Sequence, residues 1–260
     1  MTTRYTVYEQ PLNERIRTLL RLEHLFSQAF HFNQGASIWD SRMMITTLFD
    51  LLDLFSRADL KTEIIKEVDR ATSNLNALLE NPAVDGKRLS TILKALQHIT
   101  ANLHNISGQL GQTLRQDEFL ASIRQRSTIP GGTCDFDLPG YHHWLEQPSE
   151  LRQSRQQLWL RSLEPIQQAV ELLLKLNRNS AEPQQAIAEA GQYQQQLENN
   201  YPYQMIRVFL PHQANYYPEI SGSKHMFTIR FLHTGGEHNP DDQGKIMKDD
   251  LPFQLALCLL

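Results

Sequence analysis

The spacing of hydrophobic positions changes along the chain, and the changes divide it. Through the first ten residues the period is two: Tyr5 and Val7 point one way, Arg4, Thr6 and Tyr8 the other, up to Pro11. That pattern predicts a strand. From Asn13, a residue suited to a helix N-cap, Ile16, Leu19, Leu20, Leu22, Phe26 and Phe30 follow at helical spacing, with Arg15, Arg17, Arg21 and His24 among the less apolar positions. The result is an amphipathic helix with a basic side. Ser41 to Phe55 is apolar nearly all round, through Met43, Met44, Ile45, Leu48, Leu51, Leu52, Leu54 and Phe55, as in a buried helix. Asp59 then caps a pattern in which Ile64, Val68, Ala71, Leu75 and Leu78 step alternately by four and three. After the turn NPAVDG, Leu89, Ile92, Leu96, Ile99 and Leu103 repeat that rhythm, so the two segments predict an antiparallel helical hairpin. A shorter helix from about Gln116 to Arg126 carries Phe119, Leu120 and Ile123, with Arg124 and Arg126 at its C-terminal end, where positive charge suits the macrodipole.

Pro130, Gly131 and Gly132 mark a turn, and TCDFDLPG with YHHWL reads as short extended pieces leading into Trp144. A long helix follows from Ser149 to Leu176, with Leu163, Ile166, Val170 and Leu173 on one face; Pro165 either starts a new segment or kinks it. Residues 179–199, rich in Gln, Glu, Asn and Ala, read as either a solvated helix or a linker. The period then returns to two at Ile206, Val208 and Leu210, at Phe227, Ile229 and Phe231, and at Phe253, Leu255 and Leu257, predicting three strands. The predicted class is α+β. A mainly α-helical domain with a long helical hairpin (12–130 and 149–178) is joined to a smaller β domain (1–11, 131–148 and 200–260), whose sheet uses strands from both chain ends.

Composition narrows the chemistry. A formal charge of -4 and a pI near 6.2 give no general attraction for nucleic acid or anionic lipid, so any basic site is local. The N-terminal MTTRYTVYEQPLNERIR lacks a basic stretch followed by an apolar one, and no run of about 18 apolar residues occurs. The expectation is a chain neither exported by such a signal nor membrane-spanning. Two cysteines, Cys134 and Cys258, are too few for a disulfide framework or a thiolate metal cage, and fit a reducing cytosol as small core residues.

Ten histidines invite a metal reading, yet neither H-E-x-x-H nor C-x-x-C is present. The adjacent His142 and His143 diverge by about 100° in a helix and face opposite ways in a strand. IPGGTC and ISGSKH lack the spacing of a phosphate-binding loop, and no serine sits in G-x-S-x-G. No metal, cofactor or catalytic residue is expected. What the chain does carry is isolated basic residues on well-patterned elements: Arg21, Arg57, Arg124, Arg126, Arg207, Arg230 and Lys224. Arg207 and Arg230 lie opposite Ile206 and Ile229, so a shared basic sheet face would suit the carboxylates of an acidic peptide.

Three segments, YEQPLNERIRTLLRLEHLF, IRQRSTIPGGTCDFDLPGYHHWL and YYPEISGSKHMFTIRF, resemble the ZapD family in sequence and in order. KTEIIKEVDR, the AVDGKRL turn region and the closing FQLALC extend the resemblance over nearly the whole chain. It implies a helical domain joined to a β domain, homodimerisation, and binding to the acidic-and-hydrophobic C-terminal tail of the division protein FtsZ. Two tail sites per dimer would bridge neighbouring filaments in the cytoplasm at the mid-cell division site, without catalysis, nucleic acid or membrane insertion. The family's basic positions are matched by Arg21 in LRLEHL, Arg57 in FSRADL, Arg124 and Arg126 in IRQR, His142, Lys224 and Arg230. Glu118 and Met226 depart from it, standing where family members tend to have arginine.

Two readings from other classes make distinct structural demands. A hydrolase or transferase built across PGGTC and HHW needs Cys134 and His142 to meet in a solvent-open cleft. An RNA-binding adaptor needs aromatic residues exposed on a basic sheet face.

Overall fold

The computed structural model describes residues 4–57, 59–82, 84–198, 200–223, 225–235 and 242–259. Strand β1 (Tyr5–Pro11) ends at the proline, and the Asn13 side-chain oxygen accepts the Ile16 amide at 3.0 Å, opening α1 (Glu14–Gln34). A reciprocal cap between Ser37 and Asp40 starts α2 (Ile38–Leu54), whose inner positions Met44, Ile45, Leu48, Leu51 and Leu52 are buried. α3 (Leu60–Asn76) and α4 (Gly86–Asn105) form the helical hairpin. Ile64, Val68, Ala71 and Leu75 are buried along α3, and Leu89, Leu93, Leu96, Ile99 and Leu103 along α4, each such Leu or Ile stabilising by about 1.5–3 kcal/mol. Leu78 lies beyond the end of α3 and is exposed. Asp59 occupies the cap position with helical dihedrals and no side-chain cap bond; its carboxylate stands 3.9 Å from Arg57 instead.

The remaining helices are α5 (Gln112–Arg115), α6 (Glu118–Ser127), α7 (Pro139–Leu145), α8 (Ser149–Arg161) and α9 (Glu164–Arg178). Pro165 therefore sits in the first turn of a new helix, where a missing N–H costs nothing. The segment 131–148 overturns the extended reading. Pro139 starts a helix, and Tyr141, Trp144 and Leu145, at the i, i+3, i+4 spacing, are its buried face. Its short length and adjacent histidines hid the period.

Strands β2 (Gln184–Ala188), β3 (Gln192–Gln196), β4 (Tyr203–Pro211), β5 (Tyr216–Gly222), β6 (Met226–His233) and β7 (Leu251–Leu259) complete the described elements. They form two antiparallel sheets, ordered β1-β4-β7-β2 and β3-β6-β5. The first joins strands from both chain ends, as predicted. Ile206, Val208 and Leu210 of β4 and Phe253 and Leu255 of β7 share one core with Phe227, Ile229 and Phe231 of β6. Of the stretch 179–199, the described residues 179–198 form neither a helix nor a linker: they hold β2 and β3. Ala190 (φ 46°) and Gly191 (φ 70°) make the tight turn between β2 and β3, and a Cβ on Gly191 would stand 2.3 Å from the Met247 carbonyl oxygen. β2 pairs with β7 and β3 with β6, so this turn carries the chain from one sheet to the other.

The chain divides into two compact units, Met1–Thr18 with Leu174–Leu260, and Leu19–Leu173. The first holds both sheets and the second the helices α2 to α8. The segment 131–148 belongs to the helical unit.

Candidate partner-binding site

In the helical unit, Arg21 projects from α1 between the buried Leu19 and Leu22; it is exposed and has no hydrogen-bond or ion-pair partner among the described residues. Arg57, just past α2, lies 3.5 Å from Glu63. Arg124 and Arg126 are two residues apart on α6, about 200° around the helix axis, and the structure separates them. Arg124 pairs with Asp53 at the end of α2. Arg126 faces Asp137 at 4.0 Å.

Beside Arg124 opens a cleft of about 360 Å³, lined by Phe49 and Leu52 of α2, Leu114 and Arg115 of α5, and Leu120 and Ala121 of α6. Arg115 donates to the Leu52 carbonyl. Burial, and then the like charge of Arg124, lower its pKa from the ordinary arginine value. On α2, burial and then the neighbouring Asp53 raise the Asp50 pKa. The cleft thus offers an apolar floor with two guanidinium groups at its edge.

His142, on α7, holds Asp135 through Nδ1 at 3.2 Å. α7 is fixed by an aromatic cluster: Phe119 meets Trp144 edge-on at 5.5 Å and stacks on Trp159 at 6.1 Å, and Tyr141 stacks on Trp144 at 6.0 Å. Trp144 is a core residue, and burial pushes the Tyr141 hydroxyl up to about 12. Arg42 of α2 lies over the rings of Tyr141 and Trp39, donates to the Thr133 carbonyl at 3.1 Å, and stands 3.9 Å from Asp135. Sequence reasoning passed over Arg42, because the segment containing it read as a helix apolar nearly all round.

Gly132 shapes the loop carrying these carboxylates, since a Cβ there would lie 2.4 Å from the Arg126 carbonyl oxygen and 2.9 Å from the Ile129 Cβ. Backbone has to move to admit a methyl group, so Gly132→Ala is expected to lower stability by about 1–3 kcal/mol. A urea unfolding midpoint unchanged from the parent would refute this close approach.

In the other unit, Arg230 on β6 faces Glu219 on β5 directly across the ladder, with the charges 2.7 Å apart. Arg207 is on β4, in the opposite sheet, and bonds to Glu9 at 2.9 Å. The shared basic face expected for Arg207 and Arg230 does not form: the two strands belong to different sheets, and their apolar sides, not their arginines, face one core. Lys224 lies outside the described residues.

Cys134 and His142 each have a carboxylate partner. Cys134 donates its thiol to Asp137 at 3.4 Å while His142 takes Asp135, and burial pushes Cys258 up to about 11. No cluster of His, Cys, Asp and Glu placed to hold a metal ion occurs among the described residues. No described helix is long and apolar enough to cross a membrane.

The family model of the cell division protein ZapD matches residues 20–230. The chain belongs to the ZapD family. It is 43% identical over 254 residues to the cell division protein ZapD of Methylococcus capsulatus, covering 98% of each chain. It is 41% identical over 253 residues to the ZapD proteins of Ralstonia pickettii and Ralstonia nicotianae, covering 97% of this chain and 98% of each of theirs. It is therefore a cell division protein. Within this chain, Glu118 stands at the first position of α6, just after the capping Asp117, where a carboxylate favours the helix macrodipole and an arginine would oppose it. Met226 opens β6 and is exposed.

Proposed function

We propose that this ZapD-family protein binds the acidic-and-hydrophobic C-terminal tail of FtsZ and, as a homodimer, cross-links and bundles FtsZ filaments at the mid-cell division site in the cytoplasm, without catalysis. Family membership supports the reading. The observation that carries it to particular residues is the cleft at Arg124: an apolar floor edged by Arg115 and Arg124 suits a peptide that alternates carboxylates with apolar side chains. Arg21, exposed and without a partner among the described residues, is the other strong candidate contact; Arg57, Arg126, His142, Lys224 and Arg230 complete the proposed set. Two tail sites on one dimer act at high effective concentration along a polymer, so modest affinity per site is enough to bundle it.

Sedimentation of FtsZ filaments tests the proposal. Co-pelleting is expected with full-length FtsZ, not with tail-deleted FtsZ, and it should weaken as salt rises. Arg21→Glu and Arg124→Glu are each expected to weaken tail binding about tenfold or more, roughly 1.4 kcal/mol. Arg124→Gln, which does not set a second carboxylate against Asp53, controls for misfolding. Co-pelleting that survives tail deletion would move the contact elsewhere on FtsZ, and its absence with cognate full-length FtsZ would overturn the function.

A further inference from the structure

The loop before α7 presents the sequence Asp135-Phe136-Asp137, itself a short acidic-and-hydrophobic segment. Its two carboxylates occupy two arginines and a histidine of the helical unit: Asp135 lies 3.2 Å from His142 and 3.9 Å from Arg42, and Asp137 lies 4.0 Å from Arg126. Phe136, between them, is 85% exposed. Arg42 rests on Trp39, which is 73% exposed, and Met43, one helical turn from Trp39 on the same side of α2, is exposed as well. Large apolar side chains open to solvent beside arginines have the composition of a peptide-binding hot spot.

We propose that Arg42, with Trp39 and Met43, extends the part of the tail-receiving surface formed by Arg126 and His142, and that the chain's own Asp135 and Asp137 compete for it. The inference rests on the tail-binding function proposed above. Charge complementarity is its basis: the surface already holds two carboxylates at ion-pair distance, contributed by a segment that combines acidic and apolar residues as the tail does. The pairs are long, at 3.2 to 4.0 Å, and the Asp135 side chain is 65% exposed, so an incoming carboxylate exchanges for one of equal charge and regains most of what it displaces. The loop thereby lowers tail affinity in the resting protein, and Gly132 holds it in place.

The test is fluorescence anisotropy with a labelled synthetic peptide of the FtsZ C-terminal tail, titrated with the full-length protein at low and moderate salt. The variants are Asp135→Asn, Asp137→Asn and the double substitution, which keep shape and one accepting oxygen while removing charge. The double variant is expected to bind the peptide about tenfold tighter and each single variant about threefold tighter. Adding Arg42→Gln to the double variant should abolish most of the gain, and urea midpoints establish that each protein is folded. If the parent binds and the double variant binds equally or more weakly, the internal competitor is overturned while tail binding stands. If neither protein binds the peptide, the tail-binding reading itself falls, and the competitor with it.

Discussion

Replacing Arg152 by methionine is expected to destabilise the helical unit by about 3–5 kcal/mol. Arg152, in the first turn of α8, is 5% exposed, and its guanidinium reaches neutral oxygens on every side. It donates to the Ser41 hydroxyl at 3.0 Å, to the Leu145 and Gln147 carbonyls at 2.7 and 2.6 Å, and to the Ala36 carbonyl at 2.6 Å. Two of these oxygens lie around the start of α2 and two around the end of α7, so one side chain fixes the helix bearing Arg42 against the helix bearing His142. A methionine fills much of the volume and leaves three backbone carbonyls without a donor in a site with little access to water. Arg152→Lys keeps the charge but not the planar spread of donors, and is expected to fall between the two. Urea denaturation followed by tryptophan fluorescence reports on this unit, because Trp39, Trp144 and Trp159 all lie within it. A methionine variant within about 1 kcal/mol of the parent would show that the carbonyls find other donors.

The second large effect is expected at Glu9. Its carboxylate receives Arg178 through Nε at 2.8 Å and Nη2 at 2.7 Å, and Arg207 through Nε at 2.9 Å. Arg207 also donates to the Arg178 carbonyl at 3.3 Å. β1, the end of α9 and β4 thus meet at one anion, with side-chain exposures between 17% and 25%. Glu9→Gln removes the charge that keeps two half-buried guanidinium groups together and replaces an accepting oxygen with an amide donor. The expected loss is about 2–4 kcal/mol, confined to the strand-bearing unit. Hydrogen exchange should locate it, with faster exchange of the β1 amides that pair with β4 and no change in α3 or α4. Unchanged β1 protection would assign the strand's stability to its ladder alone.

Both residues show where sequence reasoning stops. Arg152 in SELRQSRQQ looks like any surface arginine on a polar helix, and no local pattern announces that it will be buried. Glu9 alternates with its neighbours as a strand residue should, but its two partners are 169 and 198 positions away. The Gln-rich stretch before β4 was unreadable for a different reason. Glutamines occupy every exposed position of β3 and one of its two half-buried positions, leaving Tyr193 alone to mark the period of two. β5 escaped because Pro218 interrupts it, which an edge strand accommodates readily, and β5 is an edge.

The sequence by itself determined the α+β class, the cap at Asn13, the helical hairpin, the strands at both chain ends and, through three ordered segments, the family. Each of these follows from spacing within about twenty residues or from word-like similarity, and neither requires knowing what packs against what. Only the tertiary structure decided which basic residues share a surface. It set Arg207 and Arg230 in different sheets, turned Arg124 and Arg126 to different partners, and brought Arg42, Arg126 and His142 around Asp135 and Asp137. A side chain's partners depend on the register between distant elements and on the direction each helix presents it, and those quantities exist only once the chain has folded.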